Sequence, residues 1–562
     1  MLVSTTLALL AAAANPAQTP GPPWHQGPGP SGNWSTWGMD QAPLRFSVRT
    51  GENILWRTPL PETGQGGIVT WGEHIFVATM APWNEANALS EEDAEKYKHA
   101  TENRKVVGRD IDAHCLDAKT GKILWTRRIE ASVPSIYSYP FSDATSASPV
   151  TDGEHVWFTN GGGMLVCFTV AGEEAWSRVF QATFDGPFNK QFEPFLIEDE
   201  RDGTKRKVLV HMEAFPAPGT PDPQSLHDRW HYLLGLDAKT GEVLWRSEDA
   251  LTHYNAPTLG SHPDVKGPVI FHARGGPHAV PERPVGMSMT ALTGEQAGKS
   301  VVRFVDPRGN HEASLQTMTA SSEGVCWVLK EPRSAIVILD PKTLEEKRVI
   351  SLTEGVYHRE RDPETGVFHT REAVDLERGV FPVRYSAHAH PAQPYLFFQC
   401  YATAWGKPSI GPSYCFARVH TATGKVEYFE VPSGVERVPA SSARAAHDQF
   451  LWRTPRAARA INSRGVEVTG DDRSRWDGWD WVFNGSPTRM GQRLYYTTAS
   501  GLVYVLNAMA EEWDEKALLA INDLGPAGQT WTANSLSLTG GRVYHRTAAE
   551  LICVGWGAGE QD

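Results

Sequence analysis

Asp117-Ala-Lys-Thr-Gly-Lys-Ile-Leu-Trp125 returns almost letter for letter as Asp237-Ala-Lys-Thr-Gly-Glu-Val-Leu-Trp245. Weaker copies share its frame: Ala171-Gly-Glu-Glu-Ala-Trp176, Leu292-Thr-Gly294, Asp340-Pro-Lys-Thr343, Thr423-Gly-Lys-Val426 and Asn507-Ala508. A further copy, Thr50-Gly-Glu-Asn-Ile-Leu-Trp56, stands at the N-terminal end with no strands before it, and the last strand, around Leu551–Gly555, has no copy after it. Each Thr-Gly supplies a tight turn whose glycine can take positive φ, and the flanking Leu and Trp mark a strand on either side. A second hairpin precedes the turn, as in Ser148-Pro-Val-Thr-Asp-Gly-Glu-His-Val-Trp-Phe158 and Ser486-Pro-Thr-Arg-Met-Gly-Gln-Arg-Leu-Tyr-Tyr496. Two hairpins make a four-stranded unit, and such units recurring along a chain are propeller blades. The expectation is an all-β, eight-bladed β-propeller of four-stranded antiparallel blades. Its ring is closed by the N-terminal strand Ile54–Leu60, which pairs into the C-terminal blade and leaves no open edge.

These turns resemble the repeats of the pyrroloquinoline quinone (PQQ)-like propellers. That family includes quinoprotein alcohol dehydrogenases, the outer-membrane assembly propeller lipoprotein and many exported proteins. The likeness covers about residues 45–557 and is specific for fold, not for function. Quinoprotein alcohol dehydrogenases place a disulfide between adjacent cysteines against the quinone. No two of the six cysteines here are adjacent, so the resemblance argues against PQQ and PQQ-dependent oxidation is the disfavoured reading. Cys115 and Cys167 share one strand slot in successive units and read as small buried hydrophobes.

The rest of the chain agrees with one large exported domain. Of 562 residues, 40% are hydrophobic and 21% charged, which excludes a disordered or fibrous chain. A formal charge of -13 excludes nucleic acid as the main partner, since phosphate binding draws on a basic surface. Residues 1–17 have the short apolar run and small-residue exit of a signal peptide, although no Lys or Arg precedes the run, and the expected location is secreted or periplasmic. No stretch is long and apolar enough to span a bilayer. Residues 18–44 read as a Pro/Gly-rich linker and arm, and 45–557 as the propeller.

The extra length is expected on one face. The insertions 81–109, 184–195, 215–231, 273–286, 352–386, 402–413 and 431–485 all fall between second and third strands or between blades, while the Asp-Gly and Thr-Gly turns stay tight. Long loops in a compact domain are usually functional. Residues 431–485 carry eight arginines and four tryptophans, among them Arg444, Trp476 and Trp479. Guanidinium groups bind carboxylate or sulfate and indole faces stack on sugar rings, so an anionic polysaccharide would satisfy both; ion pairing of the arginines with Asp471, Asp472, Asp477 and Asp480 would satisfy the sequence equally.

Residues expected to line the axis include Ser146-Ala-Ser148, Gln191-Phe-Glu193, Tyr254-Asn255, His311-Glu312, His388-Ala-His390, Asn484 and Asn534. His388 and His390 are two apart, so on a strand both face one side, and with His311 and Glu312 they form a candidate site for a divalent metal: Zn, Mn or Ca. Candidate acid, base or charge-neutralising groups are His311, His388, Tyr254, His447 and Arg444, with Trp405, Trp476, Trp479, Arg274 and His231 as ligand contacts. The leading functional reading is an exported propeller that binds, and as a lyase cleaves, an anionic polysaccharide or other small-molecule ligand. A non-catalytic protein-interaction scaffold is the alternative, and the oligomeric state stays open.

Overall fold

A computed structural model gives the architecture. It describes residues 22–36, 42–82, 91–96, 110–132, 143–182, 192–201, 203–223, 228–252, 257–275, 282–307, 318–321, 324–329, 334–362, 365–376, 379–389, 393–403, 413–432, 436–438, 449–451, 485–526 and 529–557. The chain is an all-β propeller. Six sheets have four strands, one has five and one six, and a two-stranded ribbon, Glu436–Val438 with Gln449–Leu451, stands apart. Successive strands of each blade pair antiparallel, as in Val69–Trp71, His74–Met80, Ile111–Asp117 and Ile123–Ile129. Ile54–Pro59 pairs antiparallel with Glu550–Val554 and supplies the outer strand of the last sheet, so the ring closes as the isolated N-terminal repeat predicted.

A hydrophobic cluster fills the space between each sheet and the next. Phe76 and Ile111 pack on Phe158 and Phe168 of the following sheet. Trp157 and Leu165 pack on Leu209 and Leu234 beyond it. The last such layer sets Tyr544 and Leu551 of the closing sheet against Ile75 and Val77 of the first. Sheet-on-sheet burial all the way round is what makes a ring of marginal units one domain.

The repeat motif explains itself at these seams. Asp117 Oδ1 accepts bonds from the backbone N–H of Lys119 and Thr120 and from the Thr120 hydroxyl, at 3.1, 2.7 and 2.7 Å. Asp237 does the same for Lys239 and Thr240 N–H. Gly121 and Gly241 have φ of 73° and 75°, the left-handed region that glycine occupies without strain. Each glycine also lies under the outer-strand Trp of the preceding sheet: a Cβ on Gly121 would meet the Trp56 ring at 2.5 Å, and one on Gly241 the Trp176 ring at 2.8 Å. The same Trp residues donate their indole N–H to Ala118 O and Ala238 O, both at 3.1 Å. Asp, Ala, Gly and Trp are thus one docking device repeated from sheet to sheet. In the weak copy at Asp340, Leu344 takes the glycine position with φ of 57°.

Two expectations need correction. The insertion 352–386 does not simply build up the loop face: it contains the hairpin Val356–Arg361 and Phe368–Val374, and its first strand pairs parallel with Val426–Glu430, widening that sheet outward to six strands. Residues 22–36 are not a loose linker. Pro and Gly keep this stretch out of regular structure, yet its backbone is bonded to the inner strands of the ring, as described next.

Candidate functional site: the hub of the ring

Connections after the first strand of a blade are six residues or fewer, those after the third are ten or fewer, with 508–517 the longest, and every connection of eleven residues or more follows the second or the outer strand. One rim is therefore tight and the other elaborated. The innermost strands run from the elaborated rim to the tight one, and each presents an unpaired edge to the axis.

The N-terminal arm satisfies much of that edge. Trp24 O accepts from Thr70 N–H and His25 O from Thr151 N–H, both at 2.9 Å. Gln26 Oε1 accepts from Leu196 N–H at 3.0 Å, and Trp34 O from Arg489 N–H at 2.9 Å. Ser35–Thr36 adds a parallel strand beside Thr488–Met490. Gly32 approaches Leu259 so closely that a Cβ would lie 2.5 Å from its side chain. Trp24 is 0% exposed. Unpaired backbone groups away from water are costly, so this pairing anchors an otherwise irregular arm across the hub.

Above the arm, on the elaborated side, polar side chains from non-adjacent parts of the chain bond to one another. Ser148 N–H and Oγ–H donate to the Glu193 carboxylate at 2.8 and 2.9 Å. Gly67 N–H donates to Ser148 Oγ at 2.8 Å and Gln65 N–H to Thr145 Oγ1 at 2.8 Å. Asn534 Nδ2 donates to Gln65 O and Gly66 O. Buried Arg546 donates from Nη1 to Gly66 O and Ala78 O, while its Nε and Nη2 have no hydrogen-bond partner among the described residues. A Cβ on Gly27 of the arm would lie 2.4 Å from Glu193 Oε2, so any larger residue there would have to displace the Glu193 carboxyl. Burial pushes the Glu193 carboxyl up to about 7, against the opposing effect of its two bonds from Ser148. A carboxyl that titrates near neutrality is suited to proton transfer.

Of the residues given a catalytic, metal or ligand-contact role in sequence, His231 and Arg274 have described side chains, and their bonds are to partners outside the hub. His231 Nδ1 and Glu282 Oε1 are 2.8 Å apart, a buried pair that ties one sheet to the connection of the next. Arg274 donates from Nε to Pro284 O and from Nη2 to Phe304 O, and also bonds Ser288 Oγ and Asp249. It locks the strands of its own sheet. His388 is placed by backbone only. It is the penultimate residue of Gly379–Ala389 and pairs with Phe397, so it lies at the tight-turn end of its innermost strand rather than at the start. The strand begins earlier than its sequence suggested because the preceding insertion contributes Gly379–Val383 to the pairing. His311, Glu312, His390, Tyr254, His447, Arg444, Trp405, Trp476 and Trp479 lie outside the described residues.

Among the described residues one other cluster has metal-ligand types: Asp152, Glu154 and His155, on the tight rim. Asp152 is already engaged there. Its Oδ1 accepts from Glu154 and His155 N–H and its Oδ2 from the Lys207 ammonium at 2.7 Å. A lysine charge in the coordinating position opposes a cation.

Comparison with known proteins agrees with this geometry. The family described as outer membrane protein assembly factor BamB matches residues 44–194 and 108–276. The repeats are those of a PQQ-like β-propeller. No curated protein matches the chain. Among solved structures, this propeller is similar to a quinohemoprotein alcohol dehydrogenase from Comamonas testosteroni, with TM-score 0.53, 11% identity, and 95% of this chain and 81% of that one covered. It is also similar to a europium-containing methanol dehydrogenase, with TM-score 0.50, 9% identity, and 91% and 87% covered. At these identities the likeness is one of fold.

The PQQ-like propeller does not fit the quinone arrangement that the resemblance implies. No two cysteines are adjacent. The two that face each other, Cys400 and Cys415, lie in the layer between two sheets. Among the described residues, Ser148, Glu193 and Asn534 bond within the hub, whereas Arg546 Nε and Nη2 and Ser146 Oγ have no hydrogen-bond partner. Sequence reading named Glu193 and Asn534 as axial but gave them no role, and it missed Arg546. The repeat frame was the available signal, since Arg546 ends a second strand at the elaborated rim.

Proposed function

We propose that this is an exported, non-catalytic binding propeller of eight blades, one for each sheet of four or more strands, that engages a protein partner of the cell envelope through its elaborated rim. The reading rests on the asymmetry of the ring: every connection of eleven residues or more is on one rim, while the N-terminal arm spans the hub behind it. The match to an outer membrane assembly factor supports a protein partner and an envelope location. Among the described residues no helix is long and apolar enough to cross a membrane. The Glu193 carboxyl is bonded by Ser148 and covered by Gly27 of the arm, which suits a rigid platform better than an open reaction centre.

Carbohydrate binding is the second reading, carried by the eight arginines and four tryptophans of residues 431–485. The comparisons lend no support to lyase chemistry, and the divalent-metal site at His388, His390, His311 and Glu312 remains a proposal of the sequence alone. A photo-crosslinking amino acid at Glu130, on the elaborated rim, and at Glu73, on the tight rim, separates the readings in cells. Crosslinks to a discrete envelope protein from position 130 and not 73 support the scaffold. Equal crosslinking from both, or none with retention of the purified chain on a uronic-acid or sulfated polysaccharide column, overturns it, and such retention favours the second reading.

A further inference from the structure

Cys400 and Cys415 are separated by the 401–414 connection, yet the fold sets them face to face. They are direct register partners on the antiparallel strands Tyr395–Thr403 and Ser413–His420. Both are buried, at 1% and 3% exposure, among Ile336, Phe398, Ala417 and Val419. Opposed residues of an antiparallel pair have Cα atoms about 4.5 or 5.5 Å apart, and disulfides span about 4.4–6.8 Å between Cα atoms. The backbone is therefore already set for a bridge. His358, on the extra hairpin, brings Nε2 to 4.0 Å from Cys415 Sγ. The remaining described cysteines lack such a partner: Cys115 faces Phe76 and Trp125, Cys167 faces Trp157 and Trp176, and Cys553 faces Trp56 and Tyr544.

We propose that Cys400 and Cys415 are a redox site that closes into a cross-strand disulfide and staples the base of the 401–414 connection. The oxidant is a low-molecular-weight disulfide. Cys415 gives its proton to His358 Nε2, and the thiolate attacks one oxidant sulfur, expelling the other as a thiolate. Cys400, on losing its proton to that thiolate, attacks the mixed disulfide and expels the second oxidant sulfur as a thiolate, which takes up the proton held on His358 Nε2. Two protein S–H bonds and the oxidant S–S bond break; one protein S–S bond and two oxidant thiols form, and two electrons pass to the oxidant. The bridge sits where the second strand leaves for, and the third returns from, a long connection of the elaborated rim. Its oxidation state therefore sets whether those two strands are covalently joined. The neighbouring Cys400 thiol and burial hold the Cys415 thiol well above its ordinary range, so the exchange is slow.

The test is oxidation of the full-length protein with glutathione disulfide, followed by denaturation, alkylation and peptide mass mapping. The expected result is a Cys400–Cys415 link in most molecules, with Cys115, Cys167 and Cys553 still alkylated, and a melting temperature about 2–3 °C above that of the reduced form. Cys400→Ser must abolish the link, and Cys115→Ser must keep it. Where Cys400→Ser fails to fold, the wild-type map with Cys115→Ser decides. Full alkylation of both cysteines after oxidation, or a link joining any other pair, overturns the proposal.

Discussion

On the tight rim, Asp117 and Asp237 close their turns with bonds to residues two and three positions on, and each glycine sits under a Trp from one sheet away. At the hub, the partners are remote: Asn534 reaches Gly66 across 468 positions and Arg546 reaches the same residue across 480. The rim is a local device copied from blade to blade. The hub exists only once the ring has closed, and each of its contacts occurs once. Damage to the hub should therefore spread through the molecule, whereas damage at a rim turn should stay at one seam.

Trp24→Ala tests the first half of that contrast and should have the largest effect. The side chain is fully buried against the seam that holds Tyr495, Val503 and Leu538. Removing a buried Trp costs about 3–5 kcal/mol. Chemical denaturation should show that loss, and hydrogen exchange should quicken at Thr70, Thr151 and Arg489, whose amides bond the arm. Unchanged exchange at those three amides would show that the arm does not anchor the hub.

The second half is sharpened by two glycines of identical conformation. Gly121 and Gly203 both have φ of 73°. A Cβ on Gly121 meets the Trp56 ring at 2.5 Å, while one on Gly203 meets nothing within 4 Å. Gly203→Ala should cost only the left-handed penalty, about 1–2 kcal/mol. Gly121→Ala should add about 1–3 kcal/mol of overpacking at the seam. Equal losses in thermal unfolding would mean that the Trp docking contributes nothing and that the turn alone explains the repeat.

Acid should act on the sheets rather than on the hub. Burial lowers His114 and His545 to about 4 and His211 and His272 to about 3. His114 and His272 are held by threonine hydroxyls at 3.0 and 2.8 Å. The unfolded chain binds protons at these positions from about pH 6.5 downward while the folded chain does not, so their contribution is complete above about 6.5 and lost as pH falls toward 4. Denaturant midpoints between pH 7 and 4 should decline accordingly. His272→Gln should flatten the decline, and a profile identical to wild type would remove His272 from its cause.

The same distinction decides what could be read without coordinates. The blade repeat was legible because positive φ, an Asx turn and a docking Trp all leave marks within nine residues of sequence, 117–125. The ring closure was legible because one turn copy lacked preceding strands. The hub was not, since nothing local in Ser148 or Glu193 announces that they will bond, and a Gly/Pro-rich arm looks the same whether it dangles or is bonded along the axis. His231 and Arg274 are ligand-contact candidates in the sequence, and their partners in the fold, Glu282 and the carbonyls of Pro284 and Phe304, are remote along the chain or set by strand pairing. His388 was misplaced along its strand for a related reason: the pairing of Gly379–Val383 depends on the neighbouring strand. Cys400 and Cys415 were likewise scored by sequence adjacency, which a register pair does not need.

Glu193→Gln isolates the hub from the rest and should give the smallest effect of these at pH 5. With its folded carboxyl raised to about 7 from an ordinary 4.5, wild-type Glu193 holds its proton longer when folded. Its contribution is thus fully present below about pH 4.5 and lost as pH rises through 7, opposite in sign to the buried histidines. Glutamine keeps an acceptor for Ser148 and cannot titrate, so the variant should lie within about 1 kcal/mol of wild type at pH 5, gain on it up to about pH 7 and level off above that. Melting temperatures of the two proteins, taken across that range, give the difference directly because the histidine contribution cancels. Parallel curves would mean that Glu193 is ionised throughout and that Ser148 and Arg546, not burial, govern the charge at the hub.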